Sequence, residues 1–322
     1  GLRQKGKDYS EDRIDIEVLR SSAAARMRDK EGVFRLSPTS FDSYRRCPFS
    51  FYLQRILGIE PEMRFVPEYE DKKVSGTVVH RIFEKLFEKI AADGGTFDPT
   101  RLNVYRGFAQ EALEESFREY EMRGKDLFPP EWGRLRRYLF ERLKAFLETE
   151  AQTFPGERIV ETEKDISLDL GEGLGFGGWI DRLSYFDGKP VVVDYKSGTP
   201  IQPKQVKADL ESGDNAEEKG PELSQMPIYL LLAEKDGNEA AAVSYYFLKK
   251  DEYMHLLYQG PRKVKEVLGS EKIREIAEWI TGEARRVKND MERGYFTAVR
   301  DCEPPCDFRP VCRMKYAIRT RQ

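Results

Sequence analysis

Two short segments that mix apolar and charged residues constrain the fold of this chain more than any other feature. They span 178–182 and 191–198, and the sequence Asp187-Gly188-Lys189-Pro190 lies between them. The β-branched residues at 191–193 favour a buried strand, and glycine and proline beside an aspartate favour a tight turn. The sequence therefore predicts a hairpin of two antiparallel strands, which carries charged residues that folding alone does not require.

The alternation of side chains along these strands brings three charged residues together. Asp194 and Lys196 project from one face of their strand, whereas Tyr195 projects from the other. Asp181 lies on the partner strand, where a tight turn places it opposite or diagonal to Asp194. Two carboxylates about 4 Å apart repel by roughly 4 kcal/mol at an effective dielectric constant of about 20, so the pair requires a cation. A divalent metal beside a lysine suits phosphodiester hydrolysis, while solvated charges at a hairpin end are the alternative.

These residues resemble two sequence motifs of a known family. The letters G-G-W-I-D-R-L from Gly177, followed by V-V-D-Y-K-S-G from Val192, resemble the second and third motifs of PD-(D/E)XK nucleases of the RecB-like branch. The resemblance implies an α/β fold of the restriction-endonuclease type, in which helices flank a mixed central sheet. It also implies a Mg²⁺- or Mn²⁺-dependent deoxyribonuclease that acts as an exonuclease.

A helix is predicted over 74–90, because apolar residues recur there at helical spacing. His80 lies on the flank of this apolar stripe, where a histidine is usually a boundary group. The five residues from Gly76 to His80 resemble the G-x-x-x-H pattern of the first RecB-like motif, which implies that His80 is a metal ligand. The other histidine, His255, lies among polar residues in the sequence and receives no role.

The resemblance also assigns roles to the residues of the site. It implies that the metal ligands are His80, Asp181, Asp194 and the backbone carbonyl of Tyr195. It implies that Lys196 orients or deprotonates the attacking water and stabilises the charge that develops on the phosphate.

Gln225 and Tyr229 belong to a further predicted helix that begins near residue 222. They are four residues apart and therefore share one helical face. Q-x-x-x-Y is a weak pattern alone, but it follows the D-Y-K strand where RecB-like nucleases carry the same motif. The resemblance implies that the two side chains position the nucleic acid and the lysine.

The remaining elements complete an α/β pattern. Strands are predicted over 159–163, 166–170 and 240–248, the last of which completes the sheet, and a long helix over 261–293. A polar loop is expected over 203–220. Glu161 or Glu163 could add an acidic group near the metal, but solubility of a sheet edge is the preferred interpretation of both.

Four cysteines suggest a second metal site. Two disulfides are disfavoured because the chain has no secretory features, and four thiolates can bind zinc or an iron–sulfur cluster. One cysteine before the first motif and three after the core resemble the iron–sulfur branch of the family, although the first gap in the final group holds three residues instead of two. The resemblance implies a [4Fe–4S] clamp, with zinc as the alternative, whose ligands are Cys47, Cys302, Cys306 and Cys312.

The predicted domain organisation follows the motifs. Residues 1–35 are a lead-in or linker, 36–316 form the nuclease domain, and 317–322 are a basic tail. A match to the opening motif of the family runs from Ser37 to Pro48. Two amphipathic helical patterns within about 95–155 form a helical insertion.

Composition restricts the environment of the protein. Charged residues make up 34% of the chain and hydrophobic residues 39%, which is typical of a soluble globular protein. No apolar run reaches the length of a membrane span and no leader pattern is present, so we expect a cytoplasmic protein without membrane contact. The net charge is only −3, so binding to DNA must depend on local basic patches.

The function implied by the resemblance is exonucleolytic cleavage of single-stranded or unwound DNA. The chain starts abruptly at Gly1 and lacks an ATPase motif. We therefore expect the nuclease domain of a helicase–nuclease in DNA double-strand break repair, with the helicase in a longer parent chain or on a separate partner protein. The alternatives are a stand-alone CRISPR-type iron–sulfur exonuclease and a catalytically silent DNA-binding or scaffolding module.

Overall fold

The computed structural model of the chain divides into two compact units. The first contains 1–63, 169–175 and 281–322, and the second contains 64–168 and 176–280. The structure describes these residues: 21–22, 26–59, 72–122, 129–200, 202–204, 206–207, 224–298, 308 and 311–312.

The described part of the first unit contains a short strand and two short helices. Strand β1 (Phe34–Leu36) is followed by α1 (Pro38–Arg46) and α2 (Pro48–Phe51). Ser37 caps α1, since its side chain accepts a hydrogen bond from the backbone N–H of Ser40, and proline occupies the first turn. This helix lies within the segment from Ser37 to Pro48 that matches the opening motif. A π-helical turn, Tyr52–Ile56, follows α2.

Three long helices form one side of the second unit. They are α3 (Lys72–Ala92), α4 (Leu102–Met122) and α5 (Pro129–Thr153). Helix α3 confirms the helix predicted over 74–90, and α4 and α5 confirm the two helical patterns of the predicted insertion. Ion pairs link α3 to α4, among them Lys85 with Glu119 at 2.8 Å.

The strands that lie wholly or mainly in the second unit form a mixed sheet. Its strands are β2 (Arg158–Asp169), β3 (Leu174–Phe186), β4 (Lys189–Lys196), β5 (Ala242–Phe247) and β6 (Glu252–Tyr258). β4 pairs antiparallel with β3 and parallel with β5, while β2 pairs with β3 and β6 pairs with β5. The crossover between β4 and β5 contains α6 (Gln225–Ala233). Helices beside a mixed sheet confirm the predicted α/β class.

The predicted hairpin is formed by β3 and β4. Asp187 and Gly188 connect the strands, and both have positive φ, at 49° and 76°. Two positive φ values are the requirement of a type I′ turn, whose twist matches that of the strands. Arg182 is paired with Val193 in the resulting register.

One prediction in the second half of the chain is wrong. β5 does not complete the sheet, because β6 pairs with its outer edge. His255 on β6, to which the sequence assigned no role, is buried. Its ring stacks on that of Tyr253 with centroids 5.2 Å apart, and its Nδ1 lies 2.7 Å from the hydroxyl of Ser244. Alternation along β6 is weak, since most of its residues are buried.

The last long helix, α7 (Ser270–Glu292), starts nine residues later than predicted. The preceding segment instead runs beside β6, where the backbone N–H of Val267 donates to the carbonyl of His255. Gly269 then adopts a positive φ of 84°, which a helix cannot include. Of the predicted loop over 203–220, only 203–204 and 206–207 are among the described residues.

The main core lies between the helices and one face of the sheet. Phe83 of α3 stacks on Tyr195 of β4 with ring centroids 3.8 Å apart, and Phe146 of α5 packs edge-on against Phe83 at 4.9 Å. Burial of such aromatic side chains is a principal source of stability. In the part of the chain that the structure describes, no helix combines the length and the apolar character needed to cross a bilayer.

Candidate metal centre

The two aspartates of the hairpin lie on adjacent strands. The pairing of Arg182 with Val193 makes Asp181 and Asp194 the next residues along β3 and β4. Both are buried, Asp194 almost completely. The backbone N–H of Tyr195 donates to Oδ2 of Asp181 over 2.8 Å, which fixes this carboxylate beside β4. The predicted proximity of the two aspartates is confirmed.

Helix α3 brings His80 to the same place. Its Nδ1 lies 3.1 Å from Oδ2 of Asp181. Burial acts to lower the pKa of His80, but the hydrogen bond and charge of Asp181, followed by the charges of Asp194 and Glu163, raise it to about 9. The imidazole is therefore strongly attracted to the carboxylates around it.

Glu163 of β2 is a further member of the group. Its Oε1 lies 3.8 Å from Nδ1 of His80. Its backbone has a φ of 46°, unusual for a residue with a side chain, which interrupts the regular alternation of β2. The interpretation that Glu163 only keeps a sheet edge soluble is therefore wrong. Glu161, in contrast, pairs with Lys164 near the surface.

Lys196 and the helix α6 surround the remaining aspartate. Nζ of Lys196 lies 2.8 Å from Oδ2 of Asp194 and donates to Oε1 of Gln225 over 3.0 Å. Nε2 of Gln225 donates to Oδ1 of Asp194 at 2.8 Å and to the hydroxyl of Tyr229 at 3.0 Å. Tyr229 in turn donates to the backbone carbonyl of Trp179 over 2.6 Å. The predicted common face of Gln225 and Tyr229 is confirmed, and both contact the site.

The carboxylates of the group perturb one another. Burial, followed by the charge of Asp181, raises the pKa of Asp194 to about 6 and that of Glu163 to about 7. Lys196 and His80 oppose the shift at Asp194. Burial and like charges both favour protonation, and a bound divalent cation would reverse that preference.

A buried ionic cluster lies on the opposite face of β3. Arg182 follows Asp181 in sequence and contacts Glu150 at 2.8 Å and Glu157 at 3.3 Å, and all three side chains are fully buried. Ser184 donates to Glu157 over 2.7 Å. Burial raises the pKa of Glu157 well above its usual range. This cluster was not predicted from the sequence, because Glu150 lies within a predicted amphipathic helix and Glu157 just beyond it.

The predicted cysteine clamp is only partly within the described residues. Cys47 ends α1 and caps α2, where its Sγ accepts a hydrogen bond from the backbone N–H of Ser50 at 3.4 Å. Cys312 is buried, and neither residue forms a disulfide. Cys302 and Cys306 lie outside the described residues. The clamp therefore stays a prediction.

A match of most of the sequence to a known family accounts for this arrangement. A family model described as the PD-(D/E)XK nuclease superfamily matches residues 35–313, which is most of the chain. The chain belongs to the PD-(D/E)XK nuclease superfamily. The superfamily name refers to acidic residues and a lysine of the kind that Asp181, Asp194 and Lys196 provide.

Individual relatives of this superfamily member are distant. An uncharacterized protein of Treponema pallidum is 32% identical over 93 residues, which are 29% of this chain and 12% of the relative. An ATP-dependent helicase/deoxyribonuclease subunit of Streptococcus pneumoniae is 25% identical over 220 residues, 64% of this chain and 18% of the relative. The corresponding protein of Streptococcus agalactiae, which has the same name, is 24% identical over 190 residues, 58% and 16% respectively. The chain thus spans less than a fifth of the length of these relatives.

The donor-atom distances from His80 fit the divalent metal ion that PD-(D/E)XK nucleases use. One ligand atom each from His80, Glu163 and Asp181 lies within 4.8 Å of the others. Mg²⁺ binds oxygen ligands at about 2.0–2.1 Å, so two ligands of one ion lie at most about 4.2 Å apart. The distances of 3.1 Å and 3.8 Å from His80 are within that limit. Carboxylates suit Mg²⁺ or Mn²⁺, and imidazole favours Mn²⁺ of the two.

Proposed function

We propose that this chain is a metal-dependent deoxyribonuclease that hydrolyses DNA phosphodiester bonds as an exonuclease. The observation that carries the proposal is the position of Lys196, which contacts Asp194 at 2.8 Å beside the group formed by His80, Glu163 and Asp181. A cationic side chain next to a set of oxygen and imidazole donors suits attack by water on a phosphate ester. The helicase/deoxyribonuclease relatives support the same chemistry.

The proposed metal ligands are His80, Asp181, Asp194 and the backbone carbonyl of Tyr195. Glu163 joins them, because its carboxylate lies within reach of the same point. A bound Mg²⁺ or Mn²⁺ would act as a Lewis acid on the phosphate and lower the pKa of a coordinated water.

Each remaining residue has a role that its contacts support. Lys196 would orient or deprotonate the attacking water and stabilise the negative charge that develops on the phosphate. Gln225 holds both Asp194 and Lys196, so it would keep the ammonium group aligned with the metal ligands. Tyr229 ties α6 to the backbone of β3 at Trp179. Gln225 and Tyr229 would thus act as positioning residues.

The proposed biological setting is DNA double-strand break repair. Components of helicase/deoxyribonucleases are among the relatives, and one from Streptococcus pneumoniae is described as part of an exonuclease/helicase. We infer that a helicase, in the same parent chain or on a partner protein, supplies single-stranded or unwound DNA, and that the protein acts in the cytoplasm. A stand-alone CRISPR-type exonuclease and a catalytically silent scaffold are the alternatives.

A [4Fe–4S] cluster on Cys47, Cys302, Cys306 and Cys312 is proposed as a structural clamp, with zinc as the alternative metal. The support is the sequence spacing and the thiol of Cys47 at the start of α2. Cys47→Ser should lower both stability and metal content. Iron and zinc analysis of anaerobically purified protein distinguishes the two metals, and full stability with unchanged metal content in the variant would contradict the clamp.

The direct test of the proposed function is cleavage of labelled DNA. Single-stranded and double-stranded substrates are incubated with Mn²⁺, with and without EDTA. We expect cleavage that EDTA abolishes and that Lys196→Ala greatly reduces. Lys235→Ala is the matched control, since Lys235 is exposed just beyond α6. No EDTA-sensitive cleavage of either substrate would favour the silent scaffold.

A further inference from the structure

Trp179 is an exposed aromatic residue beside the candidate metal centre. Its exposed fraction is 59%, compared with 41% for Tyr138 and 40% for Val104, the other large hydrophobic residues classed as exposed in the described part of the second unit. The same unit buries Trp132, which is 8% exposed and packs edge-on against Phe117 at 4.7 Å. The same unit therefore buries one tryptophan side chain and leaves that of Trp179 exposed to solvent.

The strand places Trp179 on the face of the site. Trp179 and Asp181 are two residues apart on β3, so they project from the same face, while Ile180 between them is fully buried on the other. Trp179 therefore shares a face of β3 with the carboxylate that contacts His80 and the backbone of Tyr195.

The backbone of Trp179 is also fixed to the proposed catalytic machinery. Its carbonyl accepts the hydroxyl of Tyr229 at 2.6 Å, and Tyr229 is held by Gln225, which binds Asp194. These contacts leave the indole ring unused, because only the carbonyl of Trp179 takes part. An exposed ring on a backbone that is held in place is a suitable platform for a flat ligand.

We propose that Trp179 stacks on a base of unpaired DNA next to the phosphodiester that this site cleaves. The inference rests on the proposed function and names the form of DNA that the site accepts. Every base has a π-face, so stacking tolerates any sequence, but that face is accessible only where the base has left the duplex stack. Trp179 would hence favour single-stranded or frayed ends over intact duplex.

DNA binding in the absence of a divalent metal tests this contact without cleavage. The probes are a fluorescent oligothymidylate and an abasic oligomer of equal length, which has the same phosphates and no bases, and both are measured by anisotropy in EDTA. Trp179→Ala should weaken binding of the oligothymidylate by about 5- to 150-fold, the range measured for loss of one base–aromatic stack. Binding of the abasic oligomer should stay unchanged.

Two further variants make the result specific. Trp179→Phe keeps an aromatic face and should recover part of the affinity for the oligothymidylate. Tyr138→Ala removes another exposed aromatic residue, on α5, and should leave both affinities unchanged. Equal affinity of the Trp179→Ala and unaltered proteins for the oligothymidylate would overturn the inference, as would equal affinity of the unaltered protein for both probes.

Tryptophan fluorescence gives an independent readout. Stacking of a thymine on Trp179 should quench part of the emission, and Trp179→Phe should abolish that quenching. Quenching without metal-dependent cleavage would contradict the proposed nuclease and leave the stacking contact in place. Cleavage with quenching that persists in Trp179→Phe would contradict the contact and leave the nuclease in place.

Discussion

The Nδ1 atom of His80 lies 3.1 Å from Oδ2 of Asp181, so a helix and a strand that are about 100 residues apart in sequence meet at two candidate ligand atoms. The same Asp181 oxygen accepts the backbone N–H of Tyr195. One carboxylate therefore joins α3, β3 and β4. Its replacement by asparagine should weaken metal binding and the alignment of His80 together.

Lys196→Ala should reduce the rate of DNA cleavage by about 10²–10⁴-fold, because general acid–base and charge stabilisation by a positioned side chain contribute about that much. Metal binding should be largely retained, since the ligands of the group are other residues. Single-turnover cleavage assays with Mn²⁺ and titration calorimetry measure the two quantities. An unchanged rate would remove Lys196 from the mechanism.

Metal binding should release protons. The pKa of His80 is raised to about 9 and that of Glu163 to about 7, and a ligand must lose its proton before it binds the ion. Affinity for Mn²⁺ should thus rise by at least about tenfold per pH unit between about pH 6.5 and 8, with the proton from His80 as the minimum. Calorimetry in buffers of different ionisation enthalpy counts the protons. The His80→Ala variant should release fewer protons when it binds Mn²⁺. The same number of released protons in the variant and the unaltered protein would contradict ligation by His80.

His255 should make the protein less stable in acid. Burial lowers its pKa from 6.5 to about 4, so the unfolded chain binds the proton more readily than the folded protein. The contribution is complete above about pH 6.5 and is lost as the pH falls through about 4, with a maximum of about 3 kcal/mol. His255→Asn keeps an acceptor for the hydroxyl of Ser244, which lies 2.7 Å from Nδ1, and should flatten this part of the pH dependence. Denaturant unfolding at several pH values measures the difference, and parallel curves would contradict the assignment.

Removal of Arg182 should destabilise the second unit strongly. The side chain is fully buried between Glu150 and Glu157, and loss of one partner from a buried ionic cluster costs about 3–5 kcal/mol. Arg182→Met should therefore lower the free energy of unfolding by about that amount. The pair of Arg286 with Glu283 provides the control, because the side chain of Arg286 is 58% exposed and Arg286→Met should change stability by less than about 1 kcal/mol.

The two glutamates of this cluster should differ in their response. Burial raises the pKa of Glu157 well above its usual range, so this carboxyl group favours its neutral form. Glu157→Gln should consequently be much less destabilising than Arg182→Met. Equal losses in the two variants would indicate that Glu157 is ionised in the folded protein.

The sequence predicted those parts of the site that depend on regular geometry. Asp194 and Lys196 share a face because side chains alternate along a strand, and Gln225 and Tyr229 share one because they are four residues apart on a helix. The turn at Asp187 and Gly188 follows from the residues that tolerate positive φ. Each of these relationships is local and needs no knowledge of the tertiary structure.

Glu163 and His255 show where such rules stop. Glu163 reaches the site because its backbone has a positive φ, which cannot be predicted from a glutamate in the sequence. The direction of its side chain therefore depends on how β2 packs. His255 becomes buried because β6 adds to the sheet beside β5, a pairing between segments whose composition is only partly apolar. Long-range packing decides both cases.

The two-residue turn between β3 and β4 determines which atoms meet. It sets the register in which Arg182 is opposite Val193. A shift of one residue would exchange the faces of β4, so that Tyr195 would point toward His80 while Asp194 and Lys196 entered the aromatic core. One-residue insertions at this turn should therefore abolish metal binding, although neither Asp187 nor Gly188 is a candidate ligand. Metal binding thus requires the length of the turn to be kept as strictly as the ligands themselves.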